Sequence, residues 1–226
     1  MLNIARTFRV IVLVTTAFLP NSAKRIIYRR IFGYKIHPTA RLKICYIDAK
    51  HVVLGPESYI GYFTIIRNLP QLILEDYATI GQWNWITCAE LFTSNASDVQ
   101  PASPEGLVIG RHAALTSRHY VDCPGGVSIG AFTTVAGVRS TILTHQINFA
   151  GRQEVKPVTI GAYCYVGANV KFVPGSSVAD RCVVGMGAVV AGRLTKSDAV
   201  YGGVPARFIR PTEGGEYFQR TVGRTR

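Results

Sequence analysis

The sequence predicts an all-β solenoid, a parallel coil of short strands preceded by a short helical segment. Three observations predict it. Aliphatic residues recur every six positions, glycine directly follows many of them, and helical hydrophobic spacing is confined to residues 3–32. The clearest run is Ile160, Val166, Phe172, Val178, Val184 and Val190, with shorter runs at Leu54, Ile60, Ile66 and at Leu74, Ile80, Ile86. A period of six fits neither a helix nor a plain alternating strand. It suits a coil in which each short strand forms one flat face and three faces make 18 residues. The aliphatic side chains then point inward and stack, and glycine or another small residue is expected to let the backbone bend at each corner. A β-sandwich would alternate with period two and show turn signals every 8–12 residues.

Composition supports a folded domain. Of 226 residues, 48% are apolar and 17% charged, which excludes a disordered chain. Glycine and proline are at ordinary levels, which excludes a collagen-like one. Cys45, Cys88, Cys123, Cys164 and Cys182 are dispersed, odd in number and without a Cys-x-x-Cys pair, as expected for reduced thiols in a cytoplasmic protein. The net charge of +12 is uneven: residues 1–50 hold ten Lys/Arg and one acid, whereas residues 51–226 hold fifteen and twelve. A nearly neutral body with a basic N-terminal segment does not predict a nucleic-acid partner.

Residues 1–35 read as a basic amphipathic segment of one or two helices. The apolar stretch from Val10 to Leu19 is too short to span a bilayer, which needs ~20 residues. Three readings stand: contact with the inner face of a membrane, a solvated cap packed on the body, or a signal peptide cleaved near Ala23. The first is the expectation, with the segment retained. Residues 36–211 are the solenoid, and 212–226 a tail, either a short helix or mobile.

The Ile-Gly pairs locate insertions. They begin at 60, 80, 109, 129 and 160, so the steps are 20, 29, 20 and 31. Two coils therefore carry long excursions, roughly within 89–106 and 142–157. Both follow two in-phase hexads and should leave from the same corner. The second contains Thr144-His145-Gln146-Ile147-Asn148. Long loops on a rigid scaffold commonly carry function.

These hexads, the Thr144-His145 loop, and the run from Gly185-Met186-Gly187-Ala188-Val189-Val190 to Gly203-Val204-Pro205-Ala206-Arg207 resemble the hexapeptide-repeat acyltransferases. The nearest branch holds galactoside, maltose and nodulation acetyltransferases and exopolysaccharide-modifying enzymes. The resemblance spans about 36–211. It implies a left-handed β-helix, a homotrimer, active sites between neighbouring prisms and acetyl-CoA as acyl donor, with no metal. It matches His145 to the family's catalytic histidine. Chemistry points there independently, because acyl transfer from a thioester to a hydroxyl needs a base, and histidine titrates near operating pH. No acyl-enzyme signature is present, so direct attack by the acceptor is the simpler route.

Further candidates follow. His119 would orient the acceptor or assist His145. Thr116, Asp122 and Asn148 are candidate acceptor-binding residues, although the asparagine that the galactoside branch has near Thr116 is missing. Ala168, Met186 and Ala191 match positions along the pantetheine arm, and Arg193, Lys196, Arg207 and Arg210 supply cations for phosphates. Where the family usually has Thr-Lys after the last hexad, this chain has Ala191-Gly192-Arg193. Two rivals remain: a zinc enzyme resembling the γ-class carbonic anhydrases, using His112, His119 and His145, and a non-catalytic scaffold or sugar-binding module. The implied acceptor is a sugar hydroxyl of a surface polysaccharide or its precursor, lipid-linked glycans included. Tyr62, Phe63, Trp83 and Trp85 would either stack on sugar rings or fill corners and the trimer interface.

Overall fold

The computed structural model describes residues 4–88 and 106–223. Short parallel strands stack into a three-faced prism. On face one, strands beginning at Tyr46, Ile65, Trp85, Tyr120, Thr141, Lys171 and Val189 lie in that order. Face two ends with Val127–Ile129, Val158–Ile160, Ser177–Val178 and Arg193–Leu194. Face three runs from Arg41–Leu42 to Ala199–Gly202. The long strands Tyr46–Leu54 and Ile65–Leu74 continue around the edge between faces one and two, so those faces form one sheet.

The hexad sets this topology directly. Ile160, Val166 and Phe172 enter the interior from faces two, three and one, and Val178, Val184 and Val190 repeat the circuit one coil higher. All six are at most 3% exposed. Each meets its equivalents above and below, so the core is a set of aliphatic columns rather than a layer between sheets.

Glycine plays two parts, of which the sequence predicts one. Glycine makes the left-handed bend at some corners, as at Gly175 and Gly187, but at others a non-glycine residue two positions after a glycine makes it: Phe63, Trp83, His112, Phe132 and Tyr163. Their rings point outward and stack between coils, with centroids 4.6 Å apart for Tyr77–His112, 5.0 Å for His112–Phe132 and 4.7 Å for Phe132–Tyr163. Such stacking, worth about 0.5–1.5 kcal/mol a pair, offsets most of the roughly 1–2 kcal/mol that a left-handed conformation costs. The glycines before these residues serve close approach. A Cβ on Gly130 would stand 2.5 Å from the carbonyl carbon of Gly161 in the next coil. The small residue four places after the aliphatic one is buried at the corner. Thr64 and Thr133 there donate to the carbonyls of Gly81 and Gly161, at 2.8 Å and 2.5 Å.

Both ends are closed. At the N-terminus, α1 (Ile4–Ala17) and α2 (Asn21–Ile31) pack against the first coil. The Arg9 guanidinium donates to Asp48 at 2.8 Å and to the Ala49 carbonyl at 3.0 Å. Asn21 donates to the Ala40 carbonyl and accepts from the Leu42 amide, both at 3.0 Å. Lys24 is buried and donates its ammonium to the Lys43 carbonyl, and that burial lowers its pKa. Among the described residues no helix is long and apolar enough to cross a membrane. At the other end Arg207–Pro211 pairs antiparallel with Ala199–Gly202. The tail then turns back through a short 3-10 helix, Glu216–Phe218, and descends the prism. Tyr217 donates to the Cys164 carbonyl, Arg220 to that of Phe132, and the Gly223 amide to His112 Nδ1.

The excursion expected within 89–106 falls, from 89 to 105, outside the described residues. The strands flanking it, like those flanking the second, lie on faces one and two.

Replacing Gly130 with alanine should lower stability by about 1–3 kcal/mol, the usual cost of forcing an atom into a packed contact. Urea unfolding would measure this, and an unchanged midpoint would refute the close-approach role.

Candidate active site

The second excursion is a β-hairpin, His145–Ile147 against Gln153–Val155, leaving the corner between faces one and two. Thr144 anchors its base. Thr144 is fully buried; its hydroxyl donates to the Asp122 carbonyl at 2.8 Å and accepts from the Gly125 amide at 2.9 Å. The hairpin is thereby tied to the coil below, and the next side chain, His145, is brought over Asp122. His145 Nδ1 lies 2.5 Å from Asp122 Oδ2. The histidine is about a third exposed, whereas the carboxylate is 3% exposed. Burial pushes the Asp122 carboxyl above its ordinary value, and the histidine contact pulls it back. A buried carboxylate at Nδ1 fixes the ring's orientation and favours the tautomer protonated there.

Glu154 holds the hairpin together. It accepts from Lys156 at 2.9 Å, Asn148 at 3.0 Å and Gln146 at 3.1 Å. Those partners, Lys156 first, hold its carboxyl down at about 2, from an ordinary value of 4.5. Asn148, expected at the acceptor, is committed to the turn: its side-chain oxygen accepts from the amides of Ala150 and Arg152. Ile147 and Phe149 are exposed near the tip.

His119 lies at the other edge of face one, before the strand that ends at Asp122. It is 2% exposed. Its Nδ1 accepts from the Ser140 amide at 3.1 Å, so the ring proton sits on Nε2, 3.0 Å from the Thr116 hydroxyl. Thr116 in turn donates to the carbonyls of Val135 and Gly137. Burial holds the His119 pKa down at about 4. This is a neutral histidine bridging three coils, and the structure does not bring it or Thr116 to His145.

His112 stacks between Tyr77 and Phe132 on the edge between faces two and three. The three histidines of the zinc reading therefore occupy three different edges of the chain. Among the described residues no group of three or more His, Cys, Asp or Glu is placed to hold a metal.

The expected CoA residues do not converge within one chain. Ala168 and Met186 lie on the edge between faces three and one, in adjacent coils. Ala191 and Arg193 lie on the hairpin's own edge, two coils above its root. Lys196 is at the edge between faces two and three, its ammonium 4.1 Å from the centre of the Phe208 ring. Arg207 and Arg210 are on the last strand, and Arg210 pairs with Glu213 at 3.1 Å.

Sequence reasoning singled out Asp122 but not its partnership with His145, and missed Thr144 and Glu154 as supports. The signal was present in the coil length. Tyr120 pairs with Thr141, 21 residues on, which brings Asp122 beside the residue just before Thr144-His145.

Residues 157–192 match the family described as bacterial transferase hexapeptide (six repeats). Those residues form the upper coils of the prism and are similar to that family's repeat. It is 27% identical to the galactoside O-acetyltransferase of Escherichia coli K12 over 150 residues, 64% of this chain and 69% of the relative. A polysialic acid O-acetyltransferase has the same fold, with a TM-score of 0.56 at 17% identity, covering 80% of this chain and 87% of that one. A hexapeptide-repeat acetyltransferase from Vibrio cholerae aligns with a TM-score of 0.51 at 16% identity, over 93% and 90%. The hexapeptide solenoid is accordingly a left-handed parallel β-helix.

The depressed pKa of Glu154 makes the hairpin pH-sensitive. Its contribution is fully present above about 4.5 and is lost as pH falls through about 2. Hydrogen exchange at 146–154, corrected for intrinsic rates, should therefore accelerate across that window, and Glu154→Gln should remove the acid dependence. Protection in the wild type that is constant down to pH 2 would contradict this.

Proposed function

We propose that this protein transfers an acetyl group from acetyl-CoA to a sugar hydroxyl of a surface polysaccharide or its precursor, with His145 as general base. The observation that carries the reading is the His145–Asp122 contact at the root of the hairpin. The 27% identity to a galactoside O-acetyltransferase supports the reaction class.

The chemistry follows from the geometry. With Nδ1 committed to Asp122, Nε2 is the nitrogen that accepts a proton. It takes the acceptor's hydroxyl proton as that oxygen attacks the thioester carbonyl. The new C–O bond forms, the C–S bond breaks, and the thiolate leaves, recovering the proton from the imidazolium. Asp122 stabilises the imidazolium in between, as a buried carboxylate does in other histidine-based acyl transfer. Asp122 thus acts through His145 and is a positioning residue. His119, neutral and saturated by Thr116 and Ser140, is assigned to the scaffold.

The donor is assigned to the C-terminal half. Arg193, Lys196, Arg207 and Arg210 are exposed in the last coil and the strand after it, where cations suit phosphates. Ala168, Met186 and Ala191 border face one on both of its edges. A homotrimer reconciles this separation, since three-fold packing sets one edge of a copy beside a different edge of its neighbour. The exposed Ile147 and Phe149 at the hairpin tip are suited to burial against such a neighbour.

His145→Ala should lower kcat by roughly 10²–10⁴-fold with the thermal midpoint and CoA affinity nearly unchanged. Asp122→Asn should lower kcat in the same direction and change its pH profile. His119→Ala should do the reverse, lowering the midpoint through lost buried hydrogen bonds while turnover per folded protein is kept. Steady-state kinetics with acetyl-CoA and a panel of glycans, alongside calorimetry, would decide; full activity in His145→Ala would overturn the reading.

A further inference from the structure

We propose that the outward faces of α1 and α2 form a docking surface for an anionic lipid bilayer. The case starts from how α1 is seated. Its inner face, Arg9, Leu13, Thr16 and Ala17, packs on the first coil, with Leu13 and Thr16 nearly inaccessible. A cap helix seated this way should show water a polar opposite face. Instead that face carries Phe8, Ile11 and Val14, 65%, 56% and 44% exposed, with Phe18 at 69% just past the helix end. The next helix adds a second exposed apolar position. With Lys24 and Tyr28 turned inward, the side opposite them presents Ile26 at 62% exposure between Arg29 and Arg30, both exposed.

Charge selects the occupant. No acidic residue precedes Asp48, and residues 1–50 carry a net +9, ten basic against one acidic. Asp48 is already engaged by Arg9. An apolar face bordered by arginines, with no carboxylate on either helix, matches an interface where acyl chains lie beneath negative headgroups. Helices of 14 and 11 residues are too short to span and long enough to lie in the plane of that interface. The surface faces away from the core contacts of both helices, so lipid can cover it without the cap unseating. This inference does not rest on the acyl-transfer reading.

The test uses the full chain and sedimentation with vesicles of phosphatidylcholine, with or without roughly a third phosphatidylglycerol, at low salt and at about 0.5 M salt, where screening is nearly complete beyond ~4 Å. The chain should sediment with the anionic vesicles, and salt should weaken this at least ~tenfold. Phe8→Asp combined with Phe18→Asp should reduce partitioning at least ~tenfold, with the thermal midpoint and the mass in lipid-free buffer unchanged. Arg29→Glu combined with Arg30→Glu should abolish the preference for anionic over neutral vesicles. A wild-type chain that stays in the supernatant with both vesicle types overturns the proposal. So does wild-type binding by both variant pairs. A drop in lipid-free mass in the aspartate variant would overturn it too, since the face would then be a contact between copies.

Discussion

The structure depends on how closely one coil's backbone approaches the next. Parallel strands hydrogen-bond at a spacing of ~4.8 Å, and at the corners the approach is closer still. Glycine at Gly61, Gly81 and Gly130 is the response: at each, a Cβ would fall within 2.6 Å of a backbone atom of the next coil. Everything else follows from that stacking. Aliphatic columns form because equivalent residues are superposed, ring ladders form for the same reason on the outside, and the hairpin acquires its orientation from Asp122 in the coil beneath it.

The fold was largely legible because a six-residue period has few physical solutions. Ile160 through Val190 trace the three faces in the order the spacing implies, and the surplus between Ile129 and Ile160 locates the hairpin. Which part each glycine plays was not legible: both a bend, as at Gly187, and a close approach, as at Gly130, select for the smallest residue, and only the fold separates them. Nor could sequence show that Phe132 and Tyr163 adopt positive φ, because that conformation is stabilised by rings one coil away rather than by local propensity. At the candidate site, the proposed base His145 stands out through its Thr-His context. Its pairing with Asp122, 23 residues back, depends on register, which a one-dimensional reading does not contain.

His119 and His145 show how environment divides one residue type between two roles. They flank the same face. His119 is turned inward, both ring nitrogens satisfied by the scaffold and its proton affinity suppressed by burial to about 4. His145 stands partly in solvent with one nitrogen held by a buried carboxylate. Desolvation makes the first a structural strut, while a carboxylate at one nitrogen suits the second to the proposed proton transfer.

The stacked architecture also works as a ruler. On face one the strand at Thr141, which leads into the hairpin, is four strands above the one at Tyr46, against which the N-terminal helices are seated, so the site stands about 19 Å from that base along the prism. Adding or removing a whole coil below it would shift that height by one strand spacing while leaving the Thr144, Asp122 and His145 contacts intact. The fold can thus adjust its reach in fixed increments without redesigning its chemistry.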